Sequence, residues 1–483
     1  MGGLSFIIYN EDYKSYNIDF TNGFLKMKNR GPDNTSYLIE QSHNINSNNI
    51  SNDLLKMHLS RSKLAQYSMH TFIYKYHQLC INDTSIDAKQ PYEDPILHKI
   101  KSYPDLKSRP KRKLLCDGEI YNYTSLKEKE NFIDKDLQSD SDVEIILPLY
   151  IKYGIEKALN LLNGDFSCII TENTNTFILD TLQVFCARDR YGIKPLWYIY
   201  NKKSSFYMFT SDINSLPETI LKQTNSYSIE EVPPGTYWSF QTKNFHTYLD
   251  DNMSITKNII NKTDPTTLHE IFTNINTLLN DACNIRLYNK NCIGILVDSF
   301  DFNSCLITSM LLSQYSMNYN NNTIHILILN RVYNQLFITF LENTYKNLNI
   351  SYHHIYSNNE IYKSLLNDDE NSIETSICFD DIYSYIKKLN INIKVLYSGY
   401  GLNTIWNNKQ FTNLSKYEYD AGLNGFQLRL PYIDFNFINY ILCIDDSLKE
   451  KRSFNSNTKI VDKYIIRKSC EMYLPFEITW NFN

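Results

Sequence analysis

The sequence predicts two domains of different class: an α+β half over residues 1–245 and an α/β half over residues 267–483, joined by a linker at 246–266. Two observations predict this. Up to about residue 245, short runs rich in tyrosine, phenylalanine and branched residues dominate, separated by turn residues such as Asn163-Gly164-Asp165. After about residue 265, apolar runs of strand length alternate with stretches of helical periodicity, the signature of a parallel sheet wrapped by helices on both faces.

In the first half the predicted strands are Leu4–Tyr9, Leu114–Cys116, Ser167–Thr171, Thr176–Asp180, Val184–Arg188 and Ser205–Thr210. The linker is polar and contains Asp264-Pro265. Leu268, Ile271, Phe272, Ile275, Leu278, Leu279, Ala282 and Ile285 then recur at helical spacing, which predicts an amphipathic helix over Leu268–Leu287. Strands follow at Ile293–Val297, Thr323–Leu329, Ile350–Tyr356 and Ile391–Tyr397, with helices at Ser304–Gln314, Tyr333–Leu348 and Phe379–Leu389. Asparagine-rich patches at 42–53, 317–322 and 357–371 read as exposed loops.

Composition excludes several classes. A net charge of -5 supports neither a nucleic-acid-binding nor a membrane-seeking surface. No run approaches the roughly 20 apolar residues of a membrane span. The ten cysteines are dispersed, none in a C-x-x-C pair, and sit mostly in apolar runs, as buried thiols of a reducing compartment do. A myristoylation signal fails at Phe6, where serine or threonine is required. The expectation is a soluble, intracellular protein. His353-His354 reads as a solvated loop pair and not as a metal site.

Several motifs follow one another in order: Arg30-Gly31-Pro32-Asp33, Asp117-Gly118-Glu119, Ser141-Asp142, Ala187–Leu196, Pro233-Pro234-Gly235, Ser398-Gly399-Tyr400-Gly401, Gly425–Asp434 and Tyr464–Arg467. Together they resemble the glutamine-hydrolysing asparagine synthetases, including the asparagine synthetase domain-containing proteins, over nearly the whole chain. The resemblance implies an N-terminal-nucleophile αββα sandwich followed by a Rossmann-like ATP-pyrophosphatase domain.

It also implies a mechanism whose parts are altered here. The family nucleophile is a cysteine thiolate at the position of Gly2. The arginine that pairs with the glutamine carboxylate stands where His77-Gln78-Leu79-Cys80 places Leu79. The asparagine of the oxyanion hole is Asp117, and a side-chain amide donor there is worth roughly 3 kcal/mol that an ionised carboxylate opposes. Gly118, Glu119 and Asp142 match the family and complete a vestigial glutamine site, and a turn glycine with solvated or capping carboxylates is favoured over live glutamine binding as their explanation.

In the second half the phosphate loop aligns with Asp298-Ser299-Phe300-Asp301-Phe302-Asn303-Ser304, without either family glycine. The second nucleotide motif is Ser398-Gly399-Tyr400-Gly401-Leu402-Asn403-Thr404, without its carboxylates. The vestigial ATP site comprises Val297, Leu327, Ser304, Ser398 and Gly399. The chain stops at Thr479–Asn483, near where the family continues into a lysine-containing phosphate-binding segment, so the second domain reads as truncated.

Three readings follow: a catalytically inactive homologue kept for binding, structure or assembly; a working asparagine synthetase; and nucleotide or glutamine binding without turnover. The first is favoured. No cofactor is expected, in contrast to the ATP and Mg²⁺ of active members, and no metal ligands are evident. With 38 tyrosines the aromatic content looks larger than two cores need, which points to a protein partner or a homo-oligomer.

Overall fold

Alternation along the first strand sets the architecture of the first half. In β1 (Gly2–Asn10), Leu4, Phe6 and Ile8 enter one apolar cluster, while Ile7 on the opposite face enters another. Both faces are therefore covered, and the strand lies inside a layered structure.

The computed structural model describes residues 2–10, 20–41, 70–94, 110–133, 137–173, 182–201, 203–223, 225–249, 265–287, 292–297, 300–318, 323–329, 334–356, 379–406, 414–449, 452–453 and 460–480. The predicted strand Thr176–Asp180 and the patches at 42–53 and 357–371 lie outside them, as do Asp298, Ser299 and Cys378. The chain divides into two units, Met1–Leu249 and Asp250–Asn483.

The first unit adds β2 (Asn34–Gln41), β3 (His70–Gln78), β4 (Tyr92–Glu93), β5 (Lys111–Ile120), β6 (Gly164–Asn173), β7 (Gln183–Arg188), β8 (Trp197–Asn201), β9 (Phe206–Thr210), β10 (Tyr227–Glu231), β11 (Thr236–Ser239) and β12 (Asn244–Thr247). They form two six-stranded sheets of order β10-β8-β9-β1-β3-β2 and β12-β11-β7-β6-β5-β4, antiparallel throughout. Leu4, Phe6, Ile8, Phe72 and Tyr74 of the first sheet meet Leu115, Ile169, Val184, Cys186 and Trp238 of the second in one cluster between the sheets. The other face of the second sheet packs against the helices Ile146–Tyr153 and Ile155–Asn160, and that of the first against Leu216 and Ile220. The layering is the αββα sandwich of N-terminal-nucleophile amidotransferases.

The second unit is a five-stranded parallel sheet. Its strands are β13 (Cys292–Val297), β14 (Thr323–Leu329), β15 (Asn349–Ile355), β16 (Val395–Ser398) and β17 (Gln427–Arg429), in the order β15-β14-β13-β16-β17. The order reverses between β13 and β16, and such a switch point opens a crevice at the carboxyl ends of the two strands. Ahead of the sheet, the helix Pro265–Asn284 buries Ile271, Ile275, Leu279 and Ala282 along one face, at the predicted spacing. The fold is Rossmann-like.

The structure corrects several sequence readings. Strands β2 and β3 were not anticipated, because every residue of β3 is buried and its lysine and histidines break the apolar pattern. Lys75 donates to the Phe20 carbonyl at 2.9 Å and lies over the Phe24 ring. Some of the tyrosines build the core. Tyr198 alone stacks on Tyr200, Tyr207 and Phe209 and tilts against the fully buried Trp238. Cys116, Cys168, Cys186, Cys283, Cys305 and Cys470 are buried free thiols, and burial pushes those of Cys168 and Cys283 up to about 12.

His353 and His354 are strand residues of β15 and not part of a loop. The His325 Nδ1 lies 2.8 Å from the His353 Nε2, so one ring donates to the other, and the Tyr385 hydroxyl is 3.5 Å from the His353 Nδ1. Burial holds both imidazoles below the ordinary histidine value, and at His325 the neighbouring His353 adds to this. The folded chain thus binds these protons less readily than the unfolded one. The stabilisation is fully present above about pH 6.5 and is lost as pH falls toward the folded values. The urea midpoint of the full chain is expected to drop between pH 7.5 and 5.5, and His353→Gln to flatten that dependence. An identical slope in the variant would exclude the pair as its source.

Candidate functional site: a small amidotransferase pocket and a self-capped phosphate corner

Backbone proximity builds the first site. Gly2 opens β1 opposite Gln78, the last residue of β3, and a Cβ added to Gly2 would stand 1.6 Å from the His77 carbonyl oxygen. No side chain fits there without moving the strand. The Gly2 N–H donates to Asp117 Oδ1 at 2.9 Å, and Arg30 reaches Asp117 Oδ2 at 3.4 Å, all three groups being buried. Burial pushes the Asp117 carboxyl up, but Lys194, Arg30 and the Gly2 N–H outweigh it and hold it below the usual carboxylate value. Lys194 is set in place by Asp189, whose carboxylate accepts the N–H groups of Tyr191, Ile193 and Lys194.

Asp117 therefore does not face the pocket as the sequence reading had it. The pocket is lined by Leu79, Gly118, Glu119 and Asp142, together with Gln78, Cys80, Asn82, Gln90 and Tyr92. Four of the five expected glutamine-site residues converge. Gly118 is a strand residue and not a turn residue: it pairs with Phe166 in β5, and a Cβ would meet the Asp165 carbonyl oxygen at 2.3 Å. The two acids differ in exposure, Asp142 being half-exposed at the start of a short helix. Glu119 is buried, and Asp142 accepts from the Ile120 N–H at 2.6 Å and the Asn82 amide at 2.8 Å. Burial and the neighbouring Glu119 push the Asp142 carboxyl up to about 6. The cavity holds about 20 Å³, room for one water-sized particle.

The second site lies at the switch point. Val297 ends β13, Ser398 ends β16, and Gly399 follows. A Cβ on Gly399 would meet the Asn303 carbonyl oxygen at 2.8 Å and the Ser304 Cα at 2.9 Å, so only glycine lets this loop touch the start of the helix Phe302–Asn318. Ser304 is buried in the first turn of that helix. Leu327 lies one strand away in β14, buried in the core and paired with Leu296. The helix starts two residues before the predicted Ser304, because Asp301 caps it: its carboxylate accepts the Ser304 N–H at 2.9 Å and its carbonyl accepts the Cys305 N–H. An N–H that would serve a phosphate at such a corner is thus taken by the chain's own anion.

Packing fills the rest of this corner. Phe300 sits edge-on to Phe337 at 6.2 Å, and Arg467 covers the Phe302 ring while donating to the Asp462 and Thr479 carbonyls. Tyr400 is buried and stacks on Tyr417 at 4.6 Å. Asn403 accepts from the Asn303 amide at 3.2 Å. Among the described residues no group of three or more histidine, cysteine or acidic side chains is placed to hold a metal, and no helix is long and apolar enough to cross a membrane.

Comparison with known proteins agrees with this arrangement. A family model described as a glutamine amidotransferase domain matches residues 76–253. A protein of Acanthamoeba polyphaga mimivirus named "Probable asparagine synthetase (glutamine-hydrolyzing)" is 26% identical, over 94% of this chain and 79% of its own length. Over most of its length the chain is similar to asparagine synthetases. Asparagine synthetases of Gallus gallus and Homo sapiens, both named as glutamine-hydrolyzing, are 25% and 24% identical over 84% of this chain and 74% of theirs.

Sequence reasoning placed Arg30, Lys194 and Gln78 within motifs but gave none of them a role. Arg30 lies 87 residues from Asp117, and nothing local in the chain marks the two as partners. A buried acid in a motif that normally holds an amide was the available signal, since such a charge demands a cation.

Gly2→Cys is expected to lower the stability of the first unit by about 2–3 kcal/mol, the usual cost of overpacking, and to release no glutamate from glutamine. Urea unfolding and a glutamate assay read the two effects. Wild-type stability with rapid glutamate release would show that the strand yields and the pocket opens.

Proposed function

We propose that the chain is a catalytically inactive homologue of the asparagine synthetases, kept as a binding, structural or assembly protein. One observation carries the reading: the nucleophile position is a glycine whose surroundings have no room for a side chain. A thiolate cannot attack an amide from a residue that has no Cβ. The cavity of about 20 Å³ also argues against glutamine as a ligand, because an amino acid is several times larger.

The second half supports the same reading. ATP would bring its negative charge to a helix start already capped by the Asp301 carboxylate, and like charges a few Å apart disfavour one another by on the order of a few kcal/mol at effective ε near 20. Neither ATP nor Mg²⁺ is an expected cofactor of this chain.

The rival reading, a working synthetase that amidates aspartate with glutamine or ammonia at the expense of ATP, draws on the names of the relatives. Asparagine formation from aspartate and ATP, with ammonia and then with glutamine, separates the two. No product above the no-protein blank is expected in either assay, and calorimetry with Mg-ATP is expected to give no saturable binding tighter than about 0.1 mM. Turnover with either nitrogen donor would establish the rival.

A protein without its chemistry but with two intact cores is most simply kept for its surface. We therefore expect a protein partner or a second copy of this chain. Native mass measurement of the protein purified from its source is expected to give a species heavier than 56.9 kDa, and a lone monomer would remove this part of the reading.

A further inference from the structure

One face of the parallel sheet carries a row of reactive side chains that neither corner uses. Cys292 opens β13, at the end of the sheet away from Val297 and the switch point, which lie five residues or about 16 Å further along the strand. Gly294 pairs with His325, and Leu327 pairs with His353. Strand residues two apart share a face, so Cys292, His325 and His353 run diagonally across three strands on one side. The thiol meets His325 Nε2 at 3.5 Å, His325 Nδ1 meets His353 Nε2 at 2.8 Å, and the Tyr385 hydroxyl ends the row behind His353. His325 is buried, whereas Cys292 and His353 are half-buried.

We propose that Cys292 is a nucleophilic thiol, with His325 as its base and His353 as the residue that positions that base, and that it is modified by small neutral electrophiles of the activated-alkene class. A nucleophile within reach of a base that a third group orients is the arrangement by which weak nucleophiles are activated. The row also sets the tautomers. With the thiol donating to His325 Nε2, the ring proton of His325 sits on Nδ1 and is donated to His353. In the addition, sulfur bonds to the outer alkene carbon as the π bond breaks, and His325 Nε2 takes the thiol proton. The imidazolium then returns that proton to the carbon beside the carbonyl, so the step needs no oxidant and expels no leaving group. A neutral electrophile fits because no charged side chain among the described residues acts on the row. Burial and His353 lower the His325 imidazole, burial alone lowers that of His353, and burial alone raises the Cys292 thiol. The row does not fit a metal, because Cys292 and His353 meet opposite nitrogens of His325 and cannot share one ion with it.

The test treats the full chain with N-ethylmaleimide from pH 5 to 8 and follows the adduct at each cysteine by peptide mass spectrometry. Cys443 is half-buried as well and has no histidine in hydrogen-bond contact among the described residues, so it serves as the internal reference. At pH 7 Cys292 is expected to react at least about tenfold faster than Cys443. Its rate is expected to level off above about pH 6.5, where His325 is already neutral, whereas that of an unassisted thiol rises about tenfold per pH unit below its own titration. His325→Gln is expected to slow Cys292 about a hundredfold and to leave Cys443 unchanged. His353→Gln keeps the base and is expected to move the acid limb of the Cys292 profile to higher pH, since His353 no longer lowers the His325 imidazole. Immediate labelling of the buried Cys283 and Cys305 would identify a variant that has not folded, and the wild-type pH profile then decides. A Cys292 rate that climbs in step with that of Cys443 from pH 6.5 to 8 overturns the proposal, as does a folded His325→Gln variant that reacts as fast as the wild type.

Discussion

A buried carboxylate cannot stand alone, and the first unit is arranged around that constraint at Asp117. Removing one partner of a buried ion pair costs about 3–5 kcal/mol, so an acid at this position obliges the fold to supply cations and donors. Arg30, Lys194 and the Gly2 N–H answer it from three separate stretches of chain. The consequence reaches the pocket. With Asp117 engaged in this way it does not line the cavity, and β1 is held against β3 so closely that its first residue, Gly2, has room only for hydrogen. An amide at the same place would carry no charge to neutralise. Glycine at position 2 and aspartate at position 117 are therefore best understood as one structural solution.

The second unit reaches a comparable end through a different interaction. A helix N-terminus at the switch point of a parallel sheet offers unsatisfied N–H groups and positive potential. Here Asp301 takes that role internally, and capping of this kind contributes about 1 kcal/mol to the helix. The neighbouring loop, free of carboxylates, turns to aromatic packing through Tyr400 and Tyr417. Asp117 in one unit and Asp301 in the other are both engaged by contacts made inside their own unit.

The physical basis of a signal decides whether a sequence reveals it. Strands and helices of the second unit were legible because parallel-sheet strands are buried on both faces and their helices carry a 3.6 period, as Ile271, Ile275 and Leu279 do. The pocket residues Leu79, Gly118, Glu119 and Asp142 were legible from the order and spacing of motifs. Their environments were not. Glu119 is buried in the pocket where solvation was expected, and Gly118 serves strand-to-strand approach where a turn was expected, since period and spacing say nothing about depth. Strand β3 was hidden by Lys75 and His77, whose polar atoms meet the Phe20 and Phe24 carbonyls far away in sequence.

The buried thiols carry a consequence for how the two units are observed. Cys116, Cys168 and Cys186 sit in the core of one, and Cys283, Cys305 and Cys470 in that of the other. Burial raises the thiols of Cys116, Cys168, Cys186, Cys283 and Cys470, which suppresses the thiolate that an alkylating reagent attacks. Each core thus contains native chemical clocks that start when it opens, and their labelling rates register the opening free energy of one unit independently of the other. The chain reports the separate breathing of its halves without an added probe.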